Sequence, residues 1–257
     1  MRADLTAPAS LLLGFLLVLI RLVGVFVFIP LPGKDSGPSV ARILLALATA
    51  IALFPVWPIV DASKVTTAVM TSWIFSETAL GVSIGLMVSF LAEALTFGAQ
   101  VLGLQAGYSY ASVVDPVTQA NSDVLIAGTQ IVAGLFFFTT GLHRGVIGVL
   151  ASTLTAYPPG RFHMDQQLAA MVIQLGSNIF IFGLRLSLPI IGLLLMTDIS
   201  LALLGRLNSQ IHLSMQAFPV KMMLNLIALA TVFVAAPVLY ESFSTQIMDT
   251  LRRLFVP

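Results

Sequence analysis

The sequence predicts an all-α membrane protein made of six or so long, kinked apolar helices, and three observations carry that reading. Hydrophobic residues make up 58% of the 257-residue chain and charged residues 9%, whereas soluble domains carry about 25% charged residues. Too little polar surface is left to cover a water-soluble core. Apolar runs close to the roughly 20 residues that a bilayer asks of a helix recur along the chain, separated by short polar turns. One run, Leu168–Leu204, is longer still. At 1.5 Å per residue it would reach about 55 Å as one helix, well past a hydrocarbon core of about 30 Å. It must break, tilt steeply or extend beyond the bilayer.

The first span covers Leu11–Pro30 and gives way to Pro32-Gly-Lys-Asp-Ser-Gly-Pro38, a turn rich in breakers. The second, Ile43–Val60, opens after Arg42 and is interrupted by Pro55 and Pro58. A short turn, Asp61-Ala-Ser-Lys64, leads to a third helix over Val69–Leu95, which carries Glu77 and Glu93. The fourth span runs from Val124 to Leu142 and continues weakly to Leu150, and Tyr157-Pro-Pro-Gly160 is a rigid stop inside the connection His143–Asp165. Gly183, Arg185 and Pro189 mark a kink or hairpin within the long run. A last apolar helix, Met222–Tyr240, ends in a short amphipathic tail, Glu241–Pro257. No fixed-period repeat is present, but a loose division near residue 165 separates a four-segment half from a long-helix pair.

Charge and motif content exclude several functions. A net charge of +1 leaves no basic face for nucleic acid. The absence of cysteine removes disulfide frameworks, iron–sulfur clusters and thiol nucleophiles. The N-terminus, with a barely basic Met1-Arg-Ala-Asp4, does not read as a cleaved signal peptide. Lysines and arginines divide almost evenly between alternate loops, so they do not set an orientation. Metalloprotease, phosphate-loop and nucleophile-elbow motifs are missing, and two histidines twenty residues apart (His143, His163) make a poor metal site. No enzyme, cofactor or metal is expected.

Several positions stand out within and between the apolar helices. Arg21 lies mid-span, where a charge costs roughly 2.5–3.5 kcal/mol or more. It calls for a structural ion pair with Glu77, Glu93 or Asp198, or else for a place on a wet transport path. Glu77, Gly81, Gly85 and Ser89 fall at four-residue spacing, which lays a groove of small residues down one helix face for close approach of another helix. That helix belongs either to this chain or to another subunit. Glu93 falls on nearly the opposite face from Glu77, so the two carboxylates form no acid/base pair. Around Asp198, Arg206, Pro219 and Lys221 a polar stretch links two long apolar helices. It reads equally as a bend or as a docking surface or entrance.

The run Gly98–Asp123 is the least membrane-like part of the apolar chain. It holds three glycines, two tyrosines, an Asp-Pro pair and no lysine or arginine. Glycine and the residue before proline resist helix, and irregular backbone at membrane depth is tolerated only where protein buries it or a wet cavity adjoins it.

With these pieces in order, the chain resembles the FliR/SctT family of type III export-gate membrane proteins over nearly its whole length. The matching pieces are Arg21-Leu-Val-Gly24 followed by Pro30 and Pro32, then Pro38-Ser-Val-Ala-Arg42. They continue with Glu77-Thr-Ala-Leu-Gly81-Val-Ser-Ile-Gly85, Gly103-Leu-Gln105-Ala-Gly107 leading to Asp115-Pro116, Asp198 through Gly205-Arg206, and Phe218-Pro219-Val-Lys221. Each is weak alone, and their order and spacing are specific. The Gly-x-Gln-x-Gly and Asp-Pro pair favours the flagellar over the virulence branch. One departure is Leu207-Asn-Ser-Gln-Ile-His212, where the family often has a proline after the arginine.

The resemblance implies a subunit of the flagellar protein export gate, in the inner membrane within the basal body. Residues 1–165 would be a FliP-like part and 166–257 a FliQ-like helix pair with its tail. Implied partners are FliP- and FliQ-type subunits, an FlhB-type subunit near the entrance, an FlhA-type subunit, basal-body components, membrane lipid and unfolded export substrates. The loop within 98–123 would project into the pore and help close it, through Gly103, Gln105, Gly107, Tyr108, Tyr110, Asp115 and Pro116. The bend at Asp198, Arg206, Pro219 and Lys221 would face the cytoplasmic entrance. Two other classes stay open: a stand-alone secondary transporter using Arg21, Glu77, Glu93 and Asp198 around a broken helix, and an intramembrane enzyme built from scattered residues.

Overall fold

A computed structural model describes residues 3–32, 39–61, 65–106, 123–207 and 213–255. Among these the chain is all helical, with no strand. The helices are α1 (Ala3–Phe26), α2 (Ser39–Ala52), α3 (Thr67–Ala106), α4 (Asp123–Thr139), α5 (Leu142–Ala156), α6 (Gln166–Leu207) and α7 (Leu213–Phe255), with a 3-10 turn at Phe54–Val56. Within α1, α3 and α6, Ala9–Phe26, Thr67–Ala106 and Gln166–Arg206 are long and apolar enough to cross a membrane, and α4 with α5 forms a further candidate bent by 65°. The molecule is an all-α membrane protein.

Helix ends follow local chemistry. After α2, Pro55 tightens the chain into the 3-10 turn, and the Trp57 indole N–H caps the Ala50 carbonyl at 2.9 Å. The α4–α5 bend turns on Gly141, whose φ of 74° is costly for a residue with a Cβ. Beyond α5, the Tyr157 N–H closes the last turn on the Thr153 carbonyl, and Gly160 (φ 77°) lies against the Trp73 ring.

Four sequence expectations need correction, the first being the connection His143–Asp165, whose first part is helix α5 as far as Ala156. Helix α3 does not stop near Leu95 but continues to Ala106, so residues 98–106 of the supposed irregular run are helical. Glycine weakens a helix by about 1 kcal/mol. Here Gly98 is held against the backbone of Gly183 on α6, and that packing outweighs the propensity. Of the kink or hairpin read at Gly183, Arg185 and Pro189, the hairpin is absent: the 42 residues of α6 form one helix through Pro189, about 60 Å long. Proline's fixed φ near −65° fits a helix; its ring removes one backbone bond and crowds the carbonyl four residues back, which strains the helix here without reversing the chain. Likewise α7 starts at Leu213, before Pro219, and runs unbroken through the segment read as a separate tail. The tail's apolar stripe of Phe243, Ile247, Leu251 and Phe255 is fully buried, which welds it to the bundle.

Helix α3 is the central element, packing against α1, α4, α6 and α7. The main core gathers Leu22, Val25, Leu80, Ile84, Met87, Phe137, Leu150 and Phe243. A small second core joins the far end of α3 (Leu102, Ala106) to Ile190 and Leu194 of α6, with Leu125, Leu224 and Ala228 packed around it.

Candidate functional site

Where α1 crosses α3, the backbones nearly touch. A Cβ on Gly81 would collide with the Arg21 carbonyl, and one on Gly85 would come within 2.7 Å of the Val25 carbonyl. From the other side, Gly24 faces the Val82 amide at 3.0 Å from its would-be Cβ. The small-residue face of α3 is therefore filled by this chain's own α1 at this crossing.

This close approach sets the geometry of Arg21. Its Nε donates to Glu77 Oε2 at 2.6 Å and its Nη2 to Glu77 Oε1 at 3.0 Å, a two-pronged pairing. Nη1 donates to Thr153 Oγ1 at 3.1 Å and Nη2 also to the Tyr157 carbonyl at 2.9 Å. Both charged side chains are only 2% exposed. A buried pair repays its desolvation only when geometry is good and further hydrogen bonds satisfy it; both conditions hold here. The Tyr157 hydroxyl donates to the Leu254 carbonyl at 3.1 Å, which links the cluster to the end of α7. Sequence reading left three carboxylates open for Arg21 and missed Thr153 and Tyr157. A mid-helix threonine and an aromatic before two prolines carry no local mark of that role.

The four polar groups considered for a transport path fall into three separate settings. Arg21 and Glu77 are sealed together. Glu93 is exposed and borders an open cleft with Arg42, Ser89 and Phe28. Asp198 pairs with Lys221 of α7, both partly exposed. The sequence offered Asp198 as a candidate partner of Arg21, and Arg206 is exposed near the end of α6, as is Pro219 in α7. The Asp198–Lys221 pair joins α6 and α7 on either side of their connection.

Of the residues assigned to the loop, Gly103 and Gln105 lie on the last turns of α3, Gly103 buried and within ordinary contact of Leu125. Gly107, Tyr108, Tyr110, Asp115 and Pro116 lie outside the described residues. The two helices that flank the loop, α3 and α4, meet in the second core. Nearby, Asn225 of α7 is fully buried with neither amide atom paired among the described residues, an arrangement with no sequence signal.

The chain is similar to the flagellar biosynthetic protein FliR of Escherichia coli strain K12, at 26% identity over 91% of this chain and 89% of that protein. It is similar to the protein of the same name from Bacillus subtilis strain 168, at 25% identity over 94% of each. The corresponding protein of Aquifex aeolicus strain VF5 is 23% identical over 96% of this chain. The family described as bacterial export proteins, family 1, matches residues 12–249, from within α1 to near the end of α7. Covering both the α1–α3 crossing and the α6–α7 pair, that match places the chain in a definite group: it belongs to the bacterial export proteins, family 1.

Proposed function

We propose that this chain is a subunit of the flagellar type III protein export gate and forms part of the gated conduit for unfolded flagellar proteins. The observation that carries the reading is membership of an export family over residues 12–249, and the relatives' shared name of flagellar biosynthetic protein gives its direction. The spread of these groups over three settings, the Arg21–Glu77 pair, Glu93 and Asp198, favours it over a small-solute transporter, which needs polar groups converging on one midplane site.

In this reading residues 1–165 are the FliP-like part and 166–257 the FliQ-like helix pair. The chain sits in the inner membrane within the basal body, beside FliP- and FliQ-type subunits, with FlhB- and FlhA-type subunits at the entrance side. The segment from Gly103 through Gln105, Gly107, Tyr108 and Tyr110 to Asp115-Pro116 closes the pore. Its flanking helices, pinned in the second core, give it a fixed base. The bend at Asp198, Arg206, Pro219 and Lys221 faces the entrance.

Expression with and without the P- and Q-type subunits tests this. The chain should enter a native-gel complex only in their company, and deleting residues 107–115 should leave that complex intact while making the membrane leaky to small ions. A chain that, reconstituted alone, moved a small solute with saturable kinetics would overturn the proposal.

A further inference from the structure

Down α7 one inward stripe runs through Asn225, Ala236, Tyr240, Phe243, Ile247 and Leu251, all of them buried. Asn225 lies three helical turns before Ala236, and the later members follow every three or four residues. The stripe changes character at Pro237, which stands inside the helix. Beyond it, aromatic and aliphatic side chains enter the main core. Before it stand a small alanine and Asn225, whose carboxamide is 0% exposed with neither nitrogen nor oxygen paired among the described residues. The second core, beside this half of α7, has its buried members Leu102, Ala106, Ile190 and Leu194 on α3 and α6; α7 adds only the partly buried Leu224 and Ala228. Met223, Leu226, Ile227 and Val234 are exposed. The Asp198–Lys221 pair ties this half to α6, and its partial exposure makes it a weak tie.

We infer that residues 213–236 form an arm that hinges at Pro237 away from α3 and α6, and that Asn225 sets how often it opens. Proline has no N–H to bond the carbonyl four residues back, and helices bend where that bond is missing. Phe243, Ile247 and Leu251 hold the half beyond the hinge in place. A buried carboxamide without partners has given up its hydrogen bonds to water and gained none. Arg21, just as buried, has all three guanidinium nitrogens engaged, so a polar group kept here only for packing would be expected to have a partner too. Asn225 lies one turn from Lys221, whose pair with Asp198 is partly exposed, and raising the arm lets water reach both amide atoms. That favours the raised state, whereas Leu224, Ala228 and the Asp198–Lys221 pair favour the seated one. Small opposed terms of this kind leave an element two populated positions. The arm carries Pro219 and Lys221, so its motion shifts one flank of the α6–α7 bend relative to Asp198 and Arg206 on the other.

Hydrogen exchange of the full-length chain, alone in detergent and in the complex from which it is recovered, tests this. Backbone amides of 213–236 should exchange together and faster than those of 243–255. Asn225→Leu, similar in volume but without the amide, should slow the arm about tenfold, the equivalent of one unmet polar group, and leave 243–255 unchanged. An arm that exchanges as before would mean that the carboxamide is satisfied in the seated state, by a buried water for instance, and would overturn the inference. Slowing of both halves alike would be global stabilisation and would also overturn it. Because the chain has no cysteine, spin labels at Met223→Cys on the arm and Leu195→Cys on α6, both exposed positions, give a second reading. Two distance populations are expected, with the longer one depleted by Asn225→Leu. A single population in both chains would overturn the hinge.

Discussion

Helices α3 and α6 are nearly equal in length, 40 and 42 residues, yet they solve opposite problems. In the most apolar window of α3, 67% of residues are buried inside the chain, against 28% for α6. Glycines let α1 seat on α3, and a charged pair that would be intolerable in lipid is closed off by its own neighbours. Helix α6 instead leaves Ile173, Phe180, Leu188, Leu195 and Leu203 exposed along about 45 Å, about one and a half times the thickness of a bilayer's hydrocarbon. One helix is completed by its own chain. The other is completed by its surroundings, and unless the helix tilts steeply those are not lipid throughout. Substitutions in the α3 region should therefore damage the chain itself, and those around α6 its working environment.

The largest effect expected is at the buried pair. Arg21→Ala or Glu77→Ala leaves a charge unpaired in the core, a loss of about 3–5 kcal/mol, and should abolish recovery of folded protein in detergent. Replacing both, Arg21→Met with Glu77→Leu, should restore most of the yield, because an apolar pair of similar volume removes the desolvation cost. If the double substitution were as damaging as the single ones, the pair would have a role beyond structure, and the contrast between the helices would weaken.

Next comes the glycine crossing. Gly81→Ala inserts a methyl into the Arg21 carbonyl and should cost about 1–3 kcal/mol, read as a lower melting temperature of the isolated chain. Gly128→Ala on α4 meets nothing within 4 Å and should gain up to about 1 kcal/mol of helix propensity. Gly98→Ala falls between them, since its methyl would stand 3.1 Å from the Gly183 carbonyl. If Gly81→Ala left the isolated chain unchanged yet blocked its assembly with partners, the groove would belong to another subunit rather than to α1.

Much of this was legible in the sequence, and the failures share a physical cause. Hydropathy gave the helical membrane class, and the spacing of Gly81 and Gly85 marked the small-residue face. Spacing cannot say which helix fills a groove, and nothing local distinguishes Glu77 from Glu93 or Asp198 as the partner of Arg21. The misread positions are those where a local breaker is overruled by a distant contact. Gly98 stays helical against Gly183, and α7 continues past Tyr240 because Phe243, Ile247 and Leu251 have a core to enter. Lys221 escaped notice as the partner of Asp198 for the same reason: the two meet only because α6 and α7 lie side by side.

That last pair gives the smallest and most discriminating prediction. Asp198 and Lys221 are partly exposed, and such pairs contribute about 0–1 kcal/mol, screened further by salt. Lys221→Ala should leave the melting temperature of the isolated chain within about a degree or two, in contrast to Arg21→Ala. If the bend serves as an entrance, the same substitution should still lower secretion. Charge reversal at both positions, Asp198→Lys with Lys221→Asp, separates the two roles. It keeps the α6–α7 pairing but inverts the charges shown to a partner. Secretion restored by the reversal would make the pair a simple strut between two helices. Secretion still low, with the melting temperature unchanged, would mean that the charges are read from outside the chain, which is the behaviour expected of the side that its surroundings complete.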